Sequence, residues 1–330
     1  MIRLAKRIAA SRTRTTDNKD GTVRRMAGAL LVGGMLALAP LAQTAQAAGT
    51  SAQTAYPIVL VHGMLGFDTI AGIDYWYGIP GELRAQGAKV FVAEVAATNS
   101  SEVRGEQLLK QVKDVLALTG ASKVNLIGHS HGGPTARYVS GVAPQLVASV
   151  TTVGSPHKGS KVADLLGNTL PEGSLSRAVV VSAVNAFSSL IGILSGNNTP
   201  QSGLGALESL NTAGSAKFNA KFPDGVPTTA CGNGAELVNG VRYFSWSGTQ
   251  PLTNVFDASD YPLSLLSVVH GEANDGLASA CSSHLGTYLG SYRQNHLDEV
   301  NQMLGLRDLF SVSPVTLYVN QAAKLKQLGL

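Results

Sequence analysis

The chain is poor in cysteine, in charge and in aromatic residues. Two cysteines in 330 residues are too few for a disulfide-built scaffold or a cysteine-rich metal site, so the fold must rest on a packed core. Charged residues make up 14% and aromatics 6%. The net charge of +4 is unevenly placed: residues 1–25 carry eight Lys and Arg against Asp17 and Asp20, leaving seventeen basic and nineteen acidic residues elsewhere. The remainder is therefore close to −2 and lacks the basic footprint of a nucleic-acid-binding protein. Beyond residue 47 no apolar run approaches the roughly 20 residues that cross a bilayer. No internal repeat and no low-complexity linker are present.

The first 47 residues read as a secretory signal peptide. A basic leader is followed by the apolar stretch Met26–Leu41 and then by Ala45-Gln46-Ala47, a small-residue cleavage pattern. This predicts export through the periplasm to the extracellular medium and one domain over 48–330. In an exported protein, Cys231 and Cys281 are most simply one disulfide, two free buried thiols being the alternative.

Glycine is plentiful, at 37 residues, and its most informative use is Gly128-His129-Ser130-His131-Gly132. The pentapeptide follows the apolar run Lys123–Ile127 and precedes a helical start with Pro134 in its first turn. A strand turning sharply into a helix lifts the central serine onto a tight elbow, and the flanking glycines let strand and helix approach. The helix N-terminus then favours negative charge beside the serine. Around it, apolar runs at 56–61, 90–95, 147–153 and 241–246 alternate with helical spacing such as that over 102–119. The alternation predicts an α/β fold with a mostly parallel sheet covered on both faces.

Serine needs a base, and the base an orienting carboxylate. After an elbow of this type the acid and then the histidine follow in sequence. His157 comes too soon, and His270 and His284 lie where the acid should be delivered, which leaves His296. Asp275 is the preferred acid because Asn274-Asp275-Gly276 is a turn at what should be a strand tip; Asp257, Asp260 and Glu272 are rivals. The backbone N–H groups of His131 and Met64 are the candidate oxyanion donors. Between Pro171 and Pro200, Val180, Val184, Phe187, Ile191 and Leu194 form a helical stripe. It is either an ordinary packed helix or a lid over an apolar cleft.

Together with Val61-His62-Gly63-Met64 and Asn295-His296-Leu297-Asp298-Glu299, these motifs make the chain resemble the secreted bacterial triacylglycerol lipases of the Pseudomonas and Burkholderia kind, from about residue 53 onward. Ser155–Ser160 and Tyr243–Gly248 extend the likeness. The resemblance implies an α/β-hydrolase fold with a helical lid over about 171–200, and the triad Ser130, Asp275 and His296. It also implies oxyanion donors Met64 and His131 and a Cys231–Cys281 disulfide. It adds one structural Ca²⁺, held by the carboxylates of Asp257 and Asp298 and the backbone carbonyls of Gln302 and Leu306, and a dedicated membrane-anchored chaperone. The expected activity is acylglycerol hydrolysis through an acyl-enzyme. A phospholipase, a polyester hydrolase and an acyltransferase are the enzymatic alternatives, and a catalytically silent binding member of the fold is the non-enzymatic one.

Overall fold

The computed structural model describes residues 50–330 apart from 65–68, 71–72, 168, 170–174, 177, 180–181, 184, 188 and 190–203. The leader over 1–47 lies outside the described residues, as does most of the 171–200 segment.

Strand β1 (Ile58–Val61) is buried at all four residues, as a Val/Ile/Leu run flanked by strands on both sides should be. The two-residue strands β2 (Thr69–Ile70) and β3 (Ile73–Asp74) form a separate antiparallel pair. Helix α1 (Ile79–Ala85) leads into β4 (Val90–Ala93). Helix α2 (Ser101–Thr119) starts where the Ser100 side chain accepts the Val103 N–H, and it stops at Gly120, whose φ of 68° suits glycine. Next come β5 (Val124–His129), α3 (Gly132–Val142), β6 (Val147–Val153) and α4 (Lys161–Leu166). Helices α5 (Leu204–Leu210) and α6 (Thr212–Lys221) precede β7 (Leu237–Val238) and β8 (Val241–Gly248). Helix α7 (Asp260–Ser267), strand β9 (Thr287–Tyr292) and helix α8 (Pro314–Gln327) complete the order.

The seven-stranded sheet runs β4-β1-β5-β6-β8, with β7 and β9 both against β8. Every pairing in it is parallel except β7 with β8. This is the predicted mostly parallel sheet. One face packs Ile58, Leu60 and Ile127 against α1 and α8 through Ile79, Leu83, Leu317 and Tyr318. The other packs Val59, Val61 and Leu126 against α2 and α3 through Leu108, Val112, Ala136 and Val139. Each such side chain, fully buried, contributes about 1.5–3 kcal/mol. Met64 and Ser130 follow the carboxyl ends of β1 and β5, where open α/β sheets place their ligands.

Cys231 and Cys281 are bonded across 50 residues, the simpler of the two sequence readings. Closing a loop of that length constrains the unfolded chain by about 4 kcal/mol in the entropy model. Reduction should lower the melting temperature by about 10 °C while initial ester turnover changes little, because the bridge supplies no atom to the site. A thermal scan with and without reductant that shows one and the same midpoint would contradict this.

Candidate active site

Ser130 occupies the turn between β5 and α3 with φ 54°. A non-glycine residue held in that region costs on the order of 1–3 kcal/mol, and the tight contacts around it explain its persistence. A Cβ on Gly128 would lie 2.3 Å from the Gly132 carbonyl oxygen, and one on Gly132 would lie 2.0 Å from that of Val61. Only glycine fits at either position, so strand, helix and β1 close around the serine. The Ser130 N–H donates to the Val153 carbonyl at 2.8 Å. Its hydroxyl has no hydrogen-bond partner among the described residues, and with His296 it lines one cavity.

His296 and Asp275 meet as the order of residue types predicted. The His296 Nδ1–H donates to Asp275 Oδ2 at 2.8 Å. Asp275 Oδ1 accepts the N–H groups of Leu277 (2.8 Å) and Ala278 (2.7 Å), which fixes the carboxylate. The Asp275 carbonyl accepts the His296 N–H at 2.9 Å, so the loops carrying acid and base are tied directly. In this arrangement Nδ1 is committed to the Asp275 carboxylate, which leaves Nε2 as the other ring nitrogen of a residue that lines the cavity. One expectation needs correction. Asp275 is not at a strand tip; it lies in the turn between α7 and β9, where Asn274 and Ser279 form an isolated bridge. An Asx turn, with Asn274 Oδ1 accepting the Gly276 N–H at 2.8 Å, shapes that loop instead.

Most of the rival residues are bonded elsewhere or exposed, whereas the buried His270 leaves its Nε2 without a hydrogen-bond partner among the described residues. His157 is bonded to Thr152 and Arg137, and His284 to Gly232. Asp260 accepts the Asn254 N–H and the Asn295 side-chain amide. Glu272 is exposed.

The Met64 and His131 N–H groups have no protein acceptor among the described hydrogen bonds, and Met64 borders the cavity. The His131 imidazole is buried with Nε2 3.0 Å from Ser101 Oγ; burial, then Arg104 and His62, hold its pKa well below the usual range. Arg104 was not legible as a site residue. Fully buried, it donates to the carbonyl of His62 at 2.5 Å and to that of Gly63 at 3.3 Å. Burial, and next the Arg104 charge, lower the His62 pKa to about 4, so that ring stays neutral.

Glu299 was also missed. Its carboxylate is fully buried, with Oε2 3.1 Å from His129 Nε2 and 3.9 Å from His296 Nδ1. Burial, and next the Asp275 charge, raise its pKa well above the carboxylate range. The only available signal was its place three residues after His296. The donor atoms of His129, His296 and Glu299 lie within 4.8 Å of one another, close enough to form a possible metal-binding group. All three already share hydrogen bonds within the protein, and none is a calcium ligand implied by the resemblance.

Those implied ligands are Asp257 and Asp298. Both are fully buried, and Asp257 Oδ2 and Asp298 Oδ1 have no hydrogen-bond partner. Burial, together with the charges of Asp257 and Asp260, lifts the Asp298 pKa to about 7. Burial, and more weakly Asp260, raise that of Asp257. Two orphaned carboxylate oxygens among like charges fit a hard cation. The Gln302 carbonyl accepts only the Gly305 N–H at 3.2 Å and keeps a lone pair.

The cavity walls are apolar: Val162, Leu166, Leu207, Leu277 and Leu297 face Ser130 and His296. Of the 180–194 stripe, Phe187 alone has a described side chain. It is half-buried, lines this cavity and packs against the apolar cluster that contains Val162, Leu165 and Leu297. Val180, Val184, Ile191 and Leu194 lie outside the described residues.

A parallel sheet with a serine elbow at one strand end defines a class, and the comparisons agree. Residues 56–317 match the family model of the alpha/beta hydrolase fold. A triacylglycerol lipase of Vibrio cholerae is 57% identical over 294 residues, covering 86% of this chain and 94% of the relative. One from Burkholderia plantarii is 42% identical, covering 94% and 99%. Lipase 1 of Pelosinus fermentans superposes with a TM-score of 0.57 at 17% identity, covering 84% of this chain and all of that one, which supports the fold alone. The chain belongs to the alpha/beta hydrolase fold family and, within it, to the triacylglycerol lipases.

Proposed function

We propose that the protein hydrolyses long-chain acylglycerols by an acyl-enzyme mechanism. The observation that carries this is the pairing of Ser130 and the His296–Asp275 couple with one apolar cavity. Ser130 Oγ attacks the ester carbonyl and its proton passes to His296 Nε2. Asp275 holds the imidazole and stabilises its charge, while the N–H groups of Met64 and His131 receive the oxyanion. His296 then protonates the leaving alcohol, and water, deprotonated by the same nitrogen, releases the fatty acid. Covalent labelling of Ser130 by an organophosphonate, with turnover of emulsified long-chain triglyceride above that of short soluble esters, would bear this out. No label on Ser130 would end it.

The reading extends to the setting. Residues 1–47 act as a cleaved signal, 48–330 fold as one domain, and the enzyme works outside the cell after passage through the periplasm. No helix among the described residues is long and apolar enough to cross a membrane, and a membrane-anchored folding chaperone is the partner expected before release. One Ca²⁺ would be held by the carboxylates of Asp257 and Asp298 and the backbone carbonyls of Gln302 and Leu306, and would tie down the loop that carries His296. The 171–200 segment serves as a lid. Phe187→Asp should then weaken hydrolysis of emulsified triglyceride at least fivefold more than that of a soluble butyrate ester. Equal losses on both substrates would reduce the segment to core packing.

A further inference from the structure

Gly63 precedes the proposed oxyanion donor and presses on the nucleophile. A Cβ there would lie 2.8 Å from Ser130 Cβ and 2.8 Å from the Tyr75 hydroxyl. Contact blocks movement toward Ser130, and hydrogen bonds resist movement away from it. Arg104 holds the carbonyl side. On the amide side the Gly63 N–H donates to the Tyr75 hydroxyl at 3.0 Å. That hydroxyl lies 2.6 Å from His129 Nδ1, and His129 Nε2 lies 3.1 Å from Glu299 Oε2. Glu299 Oε1 accepts the Gly248 N–H. Tyr75, His129 and Glu299 are all buried, and the heavy-atom links are the same whichever way the shared protons run. The chain thus joins the Gly63–Met64 loop to the loop that carries His296.

Apolar side chains of similar volume would fill this space without the cost of desolvating a phenol, an imidazole and a carboxylate. Buried polar networks of this kind fix one geometry. We propose that Tyr75 and His129 are positioning residues of the ester-cleaving site. Through them Glu299 sets the Met64 N–H against Ser130. The inference rests on the ester-hydrolase reading and gives the His129 imidazole, beside the nucleophile, a task beyond elbow geometry. The sensitivity is large: removing an oxyanion donor costs about 10²–10³-fold in kcat, and misplacing a group by about 1 Å costs about 10²-fold.

The test compares wild type, Tyr75→Phe, His129→Phe and the double variant on a soluble p-nitrophenyl ester. A trifluoromethyl ketone serves as transition-state mimic, because its adduct with Ser130 places an oxyanion in the hole. Tyr75→Phe keeps the ring and removes one hydroxyl, so it guards against a His129 variant that fails to fold. Expected are a fall in kcat of about 10–50-fold, KM within threefold, and a matching loss of ketone affinity. For Tyr75→Phe the melting temperature should fall by no more than a few degrees. The double variant should be no worse than the more damaged single, because one chain is broken once. A Tyr75→Phe enzyme with kcat within twofold of wild type overturns the proposal. So does a kcat loss without loss of ketone affinity, or a change confined to KM, which would make Tyr75 a substrate contact. Wild type that neither cleaves the ester nor binds the ketone would instead remove the hydrolase reading beneath it.

Discussion

Ser130→Ala should abolish ester hydrolysis, lowering kcat by about 10⁶-fold while the fold remains. The magnitude follows from the way nucleophile and base act as a unit: losing either costs about as much as losing the whole set, with a residue of about 10³ over water from oxyanion donors and binding. The fold should persist because alanine keeps the Cβ that the elbow already accommodates at φ 54°, and the flanking glycines are untouched. The deleted hydroxyl makes no hydrogen bond within the described residues, so no buried group is orphaned. Circular dichroism and thermal midpoint should match wild type, and organophosphonate labelling should vanish. A purified variant that keeps near wild-type turnover would move the nucleophile elsewhere.

What the sequence made legible was what local chemistry dictates. Gly128 is forced by a contact within the strand–turn–helix unit and Gly132 by one with the neighbouring β1, and the elbow at Ser130 could be read directly from the pentapeptide. The His296–Asp275 pair followed from an order rule combined with residue type, and the two loops do meet. Asp275 does meet His296, but its presentation comes from an Asx turn and two backbone donors and not from the expected strand end. Tyr75, Arg104 and Glu299 were illegible. Each acts through partners tens of residues away: Arg104 reaches the carbonyl of His62, and Glu299 reaches His129 across 170 residues. No periodicity or spacing encodes such contacts. His129 illustrates the same limit, because its neighbours in sequence explain its position but not its imidazole.

The calcium reading yields the second large effect. Without a cation, Asp257 and Asp298 leave carboxylate oxygens buried and unpaired, and the raised Asp298 pKa of about 7 measures how poorly the loop tolerates that charge. A group whose folded pKa lies above its unfolded value takes up protons on folding. The metal-free stability contributed by Asp298 should therefore fall as pH rises from about 4 through about 7. A cation would offset the cost of the buried charge, so the stabilising effect of calcium should be larger at pH 8 than at pH 5. At a free concentration 100 times the dissociation constant the ion would add about 2.7 kcal/mol, or about 5–10 °C in melting temperature for a domain of this size. Chelation at pH 8 should lower the midpoint by that amount and take activity with it, because Asp298 stands two residues from His296. Asp298→Ala should behave like the chelated enzyme and gain nothing from added calcium. Thermal scans at both pH values decide the matter: identical midpoints in chelator and in calcium at pH 8 would leave the two buried carboxylates without a cation and the metal without a place in this enzyme.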